Sequence, residues 1–247
     1  MEYATWAPLY AQIAAEFGFS FDREERSADR LVALLSPGAR SEPLDRIRAR
    51  LLGRTVVVVG SAPRGGPPPL WRLPARDPAP VVIAADPATA ACLDAGIVPE
   101  LIVTDLDGPI PTEIGANRRG SLVVVHAHGD NRSAVEEWVP QFPGELAGSW
   151  AGPPRPSLLN VGGFTDGDRA VFLADHVGAS EVLLWGFDFA TVDEADPTLR
   201  ARKLAKLSWA RRLIAEVAKT GRTAVRVWGR DGSLLPYPAG SSVASTR

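Results

Sequence analysis

Hydrophobic positions in the first fifty residues recur at the spacing of helices. Trp6, Leu9, Ile13 and Phe17 are three or four positions apart, and leucines continue the same spacing after them. Residues at these intervals form one apolar face of a helix. The pattern predicts two or three helices over residues 1–53, which we interpret as an N-terminal helical cap.

The spacing changes at Thr55–Val59, a continuous run of β-branched residues like those in strands covered on both faces. Similar apolar runs follow at 81–84, 101–103, 121–125, 157–159, 181–185 and 224–227. Segments with helical spacing separate several of them, at 88–95, 132–139, 168–177 and 198–219. The alternation predicts an α/β domain over residues 54–230 with a doubly wound, mostly parallel sheet. Residues 231–247, rich in Ser, Gly and Pro, are predicted to be an extended C-terminal tail.

Composition excludes several classes of function. The chain has 27 Lys and Arg against 29 Asp and Glu, so its formal net charge is −2, whereas general nucleic-acid binders are basic. The single cysteine, Cys92, rules out an intrachain disulfide and a Cys-rich zinc site. No secretion signal is recognisable, and the apolar runs are far shorter than the roughly 20 residues of a membrane span. We expect a cytoplasmic protein that binds small molecules and neither nucleic acid nor membrane, with homo-oligomerisation left open.

Glycines and polar residues follow the predicted strands. In open α/β sheets, ligands bind beyond the carboxyl ends of the strands, so these segments form the candidate site. In chain order they are Gly60 with Ser61, Asp86, Asp105 with Asp107, and the segments 126–131, 160–169 and 186–189. Ordinary surface charge would not collect at one edge of a sheet in this way.

Asp86, Asp105 and Asp107 are the sharpest group among these residues. Asp105 and Asp107 are two positions apart, so in extended backbone their side chains leave the same face, and Asp86 comes from a neighbouring strand. Carboxylates that converge without basic partners repel one another unless a cation lies between them. Mg²⁺ accepts one or two carboxylates together with phosphate oxygens and water. The trio therefore predicts a magnesium site for a nucleotide, although each Asp taken singly would also suit a turn.

Two further sets of residues would suit phosphate. Backbone N–H groups of Gly60, Ser61 and the glycines at 65–66 could bind phosphate oxygens, although no Walker A pattern is present and a tight turn explains them equally well. Lys203 and Lys206 are three apart on a predicted helix and share a face. They would offset phosphate charge at the site, unless they are simply solvated.

Histidines and a predicted helix start complete the candidates. His126 and His128 would orient substrate or phosphate, because histidines among hard oxygen ligands suit Zn or Fe better than Mg. Thr165 and Asp168 have the spacing of a helix N-cap and its partner, which explains them structurally. The same helix N-terminus follows two glycines and would also bind an anion or another ligand.

Three motifs in the chain resemble those of a known family. T-D-L-D-G at 104–108, H-A-H-G-D-N at 126–131 and G-G-F-T-D-G-D-R-A at 162–170 are similar to the archaeal 6-hydroxymethyl-7,8-dihydropterin pyrophosphokinase family, called MptE-like. G-S-x-P at 60–63, the A-A-D that ends at Asp86, and G-F-D-F at 186–189 fit the same order. The resemblance covers about residues 55–206. It departs at Ala62, where relatives often have glycine, and in the proline-rich stretch that follows.

The resemblance implies a fold similar to that of thiamin pyrophosphokinases, whose acidic turn binds Mg–ATP. It also implies a reaction in which ATP gives diphosphate to the pterin hydroxymethyl group and leaves as AMP, a step toward folate or methanopterin-type carriers. The resulting hypothesis places Mg²⁺ on Asp86, Asp105 and Asp107; catalysis on Asp105, Asp107 and Asp130; ATP against Gly60, Ser61, His126, His128, Asn131, Lys203 and Lys206; and the acceptor against Asn160, Gly162, Gly163, Thr165, Asp166 and Asp168.

Three other functions stay open from the sequence. The same fold could act on thiamin or another small alcohol. A metal-dependent glycosyltransferase also binds its nucleotide sugar through a D-x-D turn, and a nucleotide sensor would bind Mg–ATP without turnover. The sequence does not determine the acceptor or the pathway.

Overall fold

The structure is a computed structural model that describes residues 1–61, 68–70, 73, 78–228 and 232–238. Its elements are α1 (Tyr3–Phe17), α2 (Phe21–Leu34), α3 (Pro37–Arg40), α4 (Pro43–Leu51), β1 (Thr55–Val59), β2 (Val81–Ala85), α5 (Ala88–Asp94), β3 (Leu101–Thr104), α6 (Ile110–Arg118), β4 (Leu122–Ala127), α7 (Arg132–Trp138), β5 (Leu146–Trp150), β6 (Leu158–Leu159), α8 (Asp166–Val177), β7 (Glu181–Trp185), α9 (Pro197–Thr220), β8 (Ala224–Trp228) and β9 (Leu234–Pro236). A single 3₁₀ turn, Val139–Gln141, follows α7.

These strands form one sheet in the order β6-β5-β4-β3-β2-β1-β7-β8-β9. All neighbouring strands are parallel except β8 and β9, which are antiparallel. The chain lays down β1 to β6 toward one edge and then returns through α8 to place β7 on the other side of β1. The predicted α/β class with a mostly parallel sheet is confirmed, and the strand order reverses between β1 and β7.

Helices cover both faces of the sheet, and this explains the uninterrupted apolar strands. Alternate residues of a strand point to opposite faces, so Val56 and Val58 of β1 enter one core while Val57 and Val59 enter another. The first core also contains side chains of α1, α4, α8 and α9. The opposite face is covered by α2, α3, α5, α6 and α7.

The N-terminal helices are confirmed, and they pack as part of these layers. Trp6 of α1 is fully buried, and its indole N–H donates to the carbonyl oxygen of Ala151 at 3.1 Å. Leu31 of α2 is equally buried on the other face of the sheet. The four helices before β1 therefore contribute to both cores, and the predicted boundary at residue 53 does not coincide with a break in the packing.

Three elements escaped the sequence patterns. Strand β5 has the sequence Leu-Ala-Gly-Ser-Trp, and a Cβ at its Gly148 would force the side chains of Leu158 and Leu35 to move. Helix α6 begins among prolines and contains a glycine, so its helical spacing is hard to recognise. Strand β9 lies within the predicted extended tail and pairs with β8, whereas residues 231 and 239–247 of that tail lie outside the described residues.

The long helix α9 changes character along its length. Its C-terminal half buries Trp209, Leu213, Ile214 and Val217 against the sheet. Its N-terminal half is rich in Arg and Lys and starts at Asp196, whose side chain accepts from the N–H groups of the first turn. Within the described part of the chain, no helix combines the length and apolar character needed to cross a bilayer.

We predict that Trp6→Ala destabilises the protein by about 3–5 kcal/mol, because the change leaves a cavity and an unpaired carbonyl in a fully buried position. Urea unfolding followed by circular dichroism measures the loss. Leu199→Ala is the control, since that side chain is 50% exposed and its loss should change stability by less than about 0.5 kcal/mol. A Trp6 variant as stable as this control would contradict the conclusion that α1 packs into the core of the sheet.

Candidate functional site

Three carboxylates meet at the carboxyl ends of β2 and β3. One side-chain oxygen each of Asp86, Asp105 and Asp107 lies within 4.8 Å of the other two. Asp86 is fully buried, Asp105 is half-buried and Asp107 is exposed to solvent. We call this group the acidic cluster. It is the arrangement that the sequence predicts for a metal site.

The backbone and one threonine hold the acidic cluster in place. Asp86 donates its backbone N–H to the carbonyl oxygen of Val103 at 2.9 Å, which continues the pairing of β2 with β3. The Thr104 hydroxyl donates to Asp86 Oδ2 at 3.0 Å and accepts the N–H of Leu106 at 2.9 Å. Asp86 and Leu106 have positive φ angles of 34° and 66°, which are uncommon for residues with a side chain. Thr104 therefore fixes the Asp86 side chain and the turn between the other two carboxylates together.

The glycine after Asp107 is required by the packing of the cluster. A Cβ at Gly108 would overlap the carboxylate of Asp86. The spacing D-x-D-G thus has a steric reason, because the chain must pass directly over the buried carboxylate after presenting Asp105 and Asp107. A side chain at 108 would displace Asp86 or the turn.

Mutual repulsion and burial change the pKa values of the carboxylates in the acidic cluster. Burial, and then the charge of Asp105, raise the pKa of Asp107 to about 7. Burial also raises the pKa of Asp86, with the Asp105 charge as a further cause. For Asp105 burial acts in the same direction, but the hydrogen bond and charge of His128 outweigh it and lower the pKa. Asp105 is therefore the carboxylate that keeps its charge most readily.

A divalent cation fits this site. Among the described residues, Asp86 Oδ1 and Asp105 Oδ1 are buried and accept no hydrogen bond of ordinary geometry. Unpaired buried carboxylate oxygens are costly, and a cation between them would satisfy both. All of the candidate ligand atoms are hard carboxylate oxygens, which suit Mg²⁺, Mn²⁺ or Ca²⁺ rather than a soft metal.

Two more carboxyl groups lie around the acidic cluster. Glu113 of α6 is fully buried, and burial followed by the charge of Asp86 raises its pKa to about 9, so at neutral pH it faces Asp86 as a protonated acid. Asp166, at the start of α8, also has a pKa raised well above its ordinary value, by burial and then by Asp105 and Asp86. Asp166 was a predicted acceptor contact, and the structure brings it electrostatically close to the cluster.

His128 and Asn131 connect the acidic cluster to the loop after β4. His128 Nδ1 accepts the N–H of Asp130 at 3.3 Å, which leaves Nε2 to carry the proton, 3.5 Å from Asp105 Oδ2. The Asn131 amide donates to the carbonyl oxygens of Asp105 and His126, both at 2.7 Å, and its oxygen accepts the N–H of His128 at 3.0 Å. Asn131 is buried, so it joins the two loops, and its amide is fully used within the protein.

His126 differs from its neighbour. It lies inside β4 rather than after it, and it is 5% exposed. Its Nδ1 is 3.0 Å from the hydroxyl of Ser149 on β5. Burial, and then the charge of Arg169, lower its pKa well below the ordinary value. A neutral, buried His126 supports the sheet edge beneath the site.

Of the predicted site residues Lys203, Lys206 and Asp130, one acts on the acidic cluster and two form ion pairs elsewhere. The charge of Lys206 lowers the pKa of both Asp105 and Asp107, so its ammonium group acts on the acidic cluster. Lys203 instead forms an ion pair with Glu194 at 2.8 Å. Asp130, a predicted catalytic residue, pairs with Arg23 of α2 at 2.8 Å, with both side chains 57% exposed.

The first glycine turn, which was predicted to bind phosphate, uses the N–H of Gly60 within the sheet. The Gly60 N–H donates to the carbonyl oxygen of Trp185 at 2.7 Å, so it is not available to a phosphate. A Cβ at Gly60 would lie 2.6 Å from the carbonyl oxygen of Gly186, so this glycine allows β1 and β7 to end side by side. Ser61 is exposed beyond it, and the glycines at 65–66 lie outside the described residues.

Several predicted acceptor contacts use their polar groups internally. The Asn160 amide donates to the carbonyl oxygens of Ala151 and Gly152, and its oxygen accepts the N–H of Gly162 at 3.3 Å. Gly162 and Gly163 have φ angles of 93° and 92°, and a Cβ at Gly163 would overlap the backbone of Arg169. These residues shape the segment that leads into α8.

Thr165 and Asp168 form the predicted cap of α8. Asp168 is fully buried and accepts the N–H groups of Phe164 and Thr165, both at 2.7 Å, so its two oxygens are occupied within the protein. This matches the structural explanation of the spacing, a capping box at the start of the helix.

Sequence reasoning missed three buried ionisable residues at the site: Glu113, Arg169 and Glu24. Arg169 is 5% exposed, donates to the carbonyl oxygen of Phe164 at 3.2 Å, and its Nε has no partner. It follows Asp168 within a quoted motif, and a charge in an otherwise apolar helix was the available signal. Glu24 of α2 is 2% exposed. Its signal was a carboxylate on the apolar face of an amphipathic helix.

Comparison with known proteins relates the chain to one group of enzymes. Residues 29–194 match the family described as 6-hydroxymethylpterin diphosphokinase MptE-like. A protein of Methanothermobacter thermautotrophicus named 6-hydroxymethyl-7,8-dihydropterin pyrophosphokinase is 37% identical over 240 residues, which is 92% of this chain and 100% of that one. Proteins of the same name from Pyrococcus furiosus and Methanocaldococcus jannaschii are each 36% identical, over 91% and 76% of this chain and 98% and 80% of their own.

A solved structure shows a weaker similarity. A crystal structure of thiamine pyrophosphokinase from Bacillus subtilis is 19% identical, covers 70% of this chain and 60% of its own, and has a TM-score of 0.36.

We predict that removing the Asp107 charge stabilises the metal-free protein. Because the folded-state pKa of Asp107 is raised to about 7, the unfolded chain loses this proton at lower pH, and stability falls as the pH rises toward 7. Asp107→Asn lacks this penalty. In EDTA, its melting temperature should exceed that of the wild type by a margin that grows from pH 5 to pH 8, and added Mg²⁺ should close the gap by stabilising the wild type alone. An equal margin at every pH would contradict the assignment.

We predict that Asn131→Ala weakens Mg²⁺ binding by about 10- to 100-fold, as loss of an outer hydrogen-bonding residue does in other metal sites. The change also removes buried hydrogen bonds worth about 1–3 kcal/mol. Calorimetric Mg²⁺ titration and thermal melting measure the two effects. Arg132→Ala, on the exposed side of the same turn, is the control. Unchanged Mg²⁺ affinity in the folded Asn131 variant would show that the loops hold their positions without it.

Proposed function

Because the chain belongs to the family of MptE-like 6-hydroxymethylpterin diphosphokinases, we propose that it transfers diphosphate from ATP to the hydroxymethyl group of 6-hydroxymethyl-7,8-dihydropterin. The other products are AMP and a proton. Three relatives of that name, at 36–37% identity, support the reaction. The acidic cluster is the structural observation that carries the proposal, since a triphosphate substrate needs a site for a divalent cation.

The acidic cluster would hold the metal ion, which we propose is Mg²⁺. Asp105 and Asp107 would be its direct ligands, and the buried Asp86 would bind it directly or through water. When bound, such an ion neutralises charge on the phosphate oxygens and aligns them. Hard carboxylate ligands and a phosphate co-ligand are the combination that Mg²⁺ prefers. The cluster sits at the carboxyl ends of parallel strands, where open α/β sheets bind ligands.

The reaction is a displacement at the β-phosphorus of ATP. The hydroxymethyl oxygen forms a bond to that phosphorus, the bond from it to the oxygen of the α-phosphate breaks, and AMP leaves with the electron pair. The hydroxyl proton is released. Phosphoryl transfer of this kind depends on alignment and charge neutralisation, with little covalent chemistry by the protein.

The residues around the acidic cluster would align the reactants and balance charge. The charge of Lys206 acts on Asp105 and Asp107, which supports a role in offsetting triphosphate charge. His128 points its Nε2 toward Asp105, which favours the charged form of that carboxylate. Asn131 is a positioning residue, because it contacts the backbone of Asp105 and His128. We propose no contact with substrate for Asp168 or Asn160, since their polar atoms are bonded within the protein.

We predict that the protein forms AMP from Mg–ATP only when the dihydropterin alcohol is present, and that Asp105→Asn lowers the rate by at least about 1000-fold, as loss of a metal ligand removes charge stabilisation at the reacting phosphate. Chromatographic detection of AMP and of the pterin diphosphate measures turnover. Circular dichroism and melting establish that the variant is folded.

Asp94→Asn is the matched control, because Asp94 is exposed at the end of α5 and lies outside the cluster. It should retain the wild-type rate. Thiamin, simple alcohols and a nucleotide sugar in the same assay test the other functions that the sequence allows. Turnover of one of these with none of the pterin, or a near-normal rate for Asp105→Asn, would overturn the proposal.

A further inference from the structure

A cleft opens between the turn that joins α1 to α2 and the loop after β4. It has a volume of about 210 Å³. Sites for drug-sized ligands have about 300–1,000 Å³, so this cleft suits a smaller molecule. We call it the α1–α2 cleft. Its side chains belong to Phe17, Phe19, Arg23, Glu24, Asp130 and Arg202.

The α1–α2 cleft adjoins the acidic cluster through two elements. Gly129, on its wall, follows His128, whose Nε2 is 3.5 Å from Asp105. Arg202, which also lines the cleft, precedes Lys206 by one helical turn of α9, and Lys206 acts on the cluster. A ligand in the cleft would therefore have the metal site at one end.

Glu24 is the unusual residue of the cleft. Its side chain is 2% exposed, and its hydrogen-bonding partner is the hydroxyl of Tyr10, which donates to Oε1. Burial raises its pKa, while the charges of His128 and Arg169 oppose that shift. Neither cation forms an ion pair with Glu24 within 4 Å among the described residues. Burying a carboxylate without a direct cationic partner costs folding free energy, and a ligand that donates hydrogen bonds to the carboxylate would offset that cost.

Aromatic rings stand next to Glu24 in the cleft. Phe17 and Phe19 are stacked at a centroid distance of 5.7 Å, and Phe164 lies against both. The Arg202 guanidinium lies over Phe17 at 5.2 Å from the ring centroid. Such a wall suits a flat, conjugated ring that offers hydrogen-bond donors along one edge.

We propose that the α1–α2 cleft binds the acceptor, and that the Glu24 carboxylate accepts hydrogen bonds from the ring N–H and 2-amino group of its amidine-like edge. This inference rests on the proposed function and names the acceptor site for it. Two adjacent donors on the ligand match two acceptor oxygens on the carboxylate, a strong charge-assisted arrangement. The hydroxymethyl group, at the far end of the ring system, would then face the acidic cluster.

The same geometry argues against the nucleotide base as the occupant. The adenine edge has an amino donor beside a ring nitrogen that carries a lone pair, and a carboxylate would repel that nitrogen. The residues first predicted to contact the acceptor are also less suitable, because Asn160 and Asp168 satisfy their polar atoms within the protein.

The test is Glu24→Gln, which keeps the size of the side chain and an oxygen for the Tyr10 hydroxyl. We expect kcat/KM for the 2-amino pterin to fall by about 10- to 100-fold, mainly through KM, because one charge-assisted hydrogen bond is lost. Wild-type enzyme should reject the analogue with a 2-oxo group in place of the amino group, and Glu24→Gln should lose most of that preference. Calorimetry should give an unchanged Kd for Mg²⁺ with a non-hydrolysable ATP analogue.

Asp22→Asn is the matched control, since it removes the same charge from an exposed position of α2. A melting temperature within a few degrees of the wild type establishes that the Glu24 variant is folded, and direct pterin binding without ATP gives a second measurement. If the wild type is active and Glu24→Gln keeps the same acceptor KM and the same preference for the 2-amino pterin, this inference is overturned and the proposed function stands. Weakened binding of the ATP analogue would overturn the inference in favour of a nucleotide site. A wild type that makes no pterin diphosphate would instead overturn the proposed function.

Discussion

Repulsion among Asp86, Asp105 and Asp107 is the constraint that organises this end of the molecule. Their oxygens lie within 4.8 Å of each other, and no residue that the structure describes donates a hydrogen bond of ordinary geometry to two of the buried ones. A folded chain keeps such an arrangement only when neighbouring structure enforces it. Here Thr104 binds one carboxylate and the turn at once, and Gly108 passes where any side chain would overlap Asp86. The repulsion destabilises the metal-free protein, and a bound cation would relieve it, which would strengthen cation binding.

The sheet topology explains why this constraint can be met. Strands β2 and β3 are central, so their ends are held by neighbours on both sides and by helices on both faces. Helix α8 packs across β1, β2 and β3 on its way back to β7, which brings Asp166 and Arg169 to the same edge. Rigid strands thus fix the metal ligands, whereas loops and helix ends supply the groups that would meet the substrates.

The sequence was informative where local rules act and silent where packing decides. Runs such as Thr55–Val59 predict buried parallel strands, because that outcome depends on nearby residues alone. The spacing of Asp105 and Asp107 predicts that their carboxylates converge, but a turn at Leu106, with a φ of 66°, brings them together instead of extended backbone. The amide of Asn131 could not be assigned from sequence, since its three partners come from two loops. The same holds for Gly60, whose N–H is bonded to Trp185 of a strand more than a hundred residues away. β5 was missed because its glycine serves packing against α2 and β6.

The N-terminal helices supply most of the residues of the proposed acceptor cleft. The family match begins at residue 29, whereas Phe17, Phe19 and Glu24 precede it and Arg202 follows its end at residue 194. Most of the side chains that line the proposed acceptor cleft thus lie outside the matched region, whereas Gly129, Asp130 and all three carboxylates of the acidic cluster lie inside it. The nucleotide–metal chemistry and the choice of acceptor would then be carried by different parts of the chain. Because α1 packs into the core on one face of the sheet and α2 into the core on the other, both walls of the cleft are anchored, and a buried carboxylate there can discriminate between ring edges.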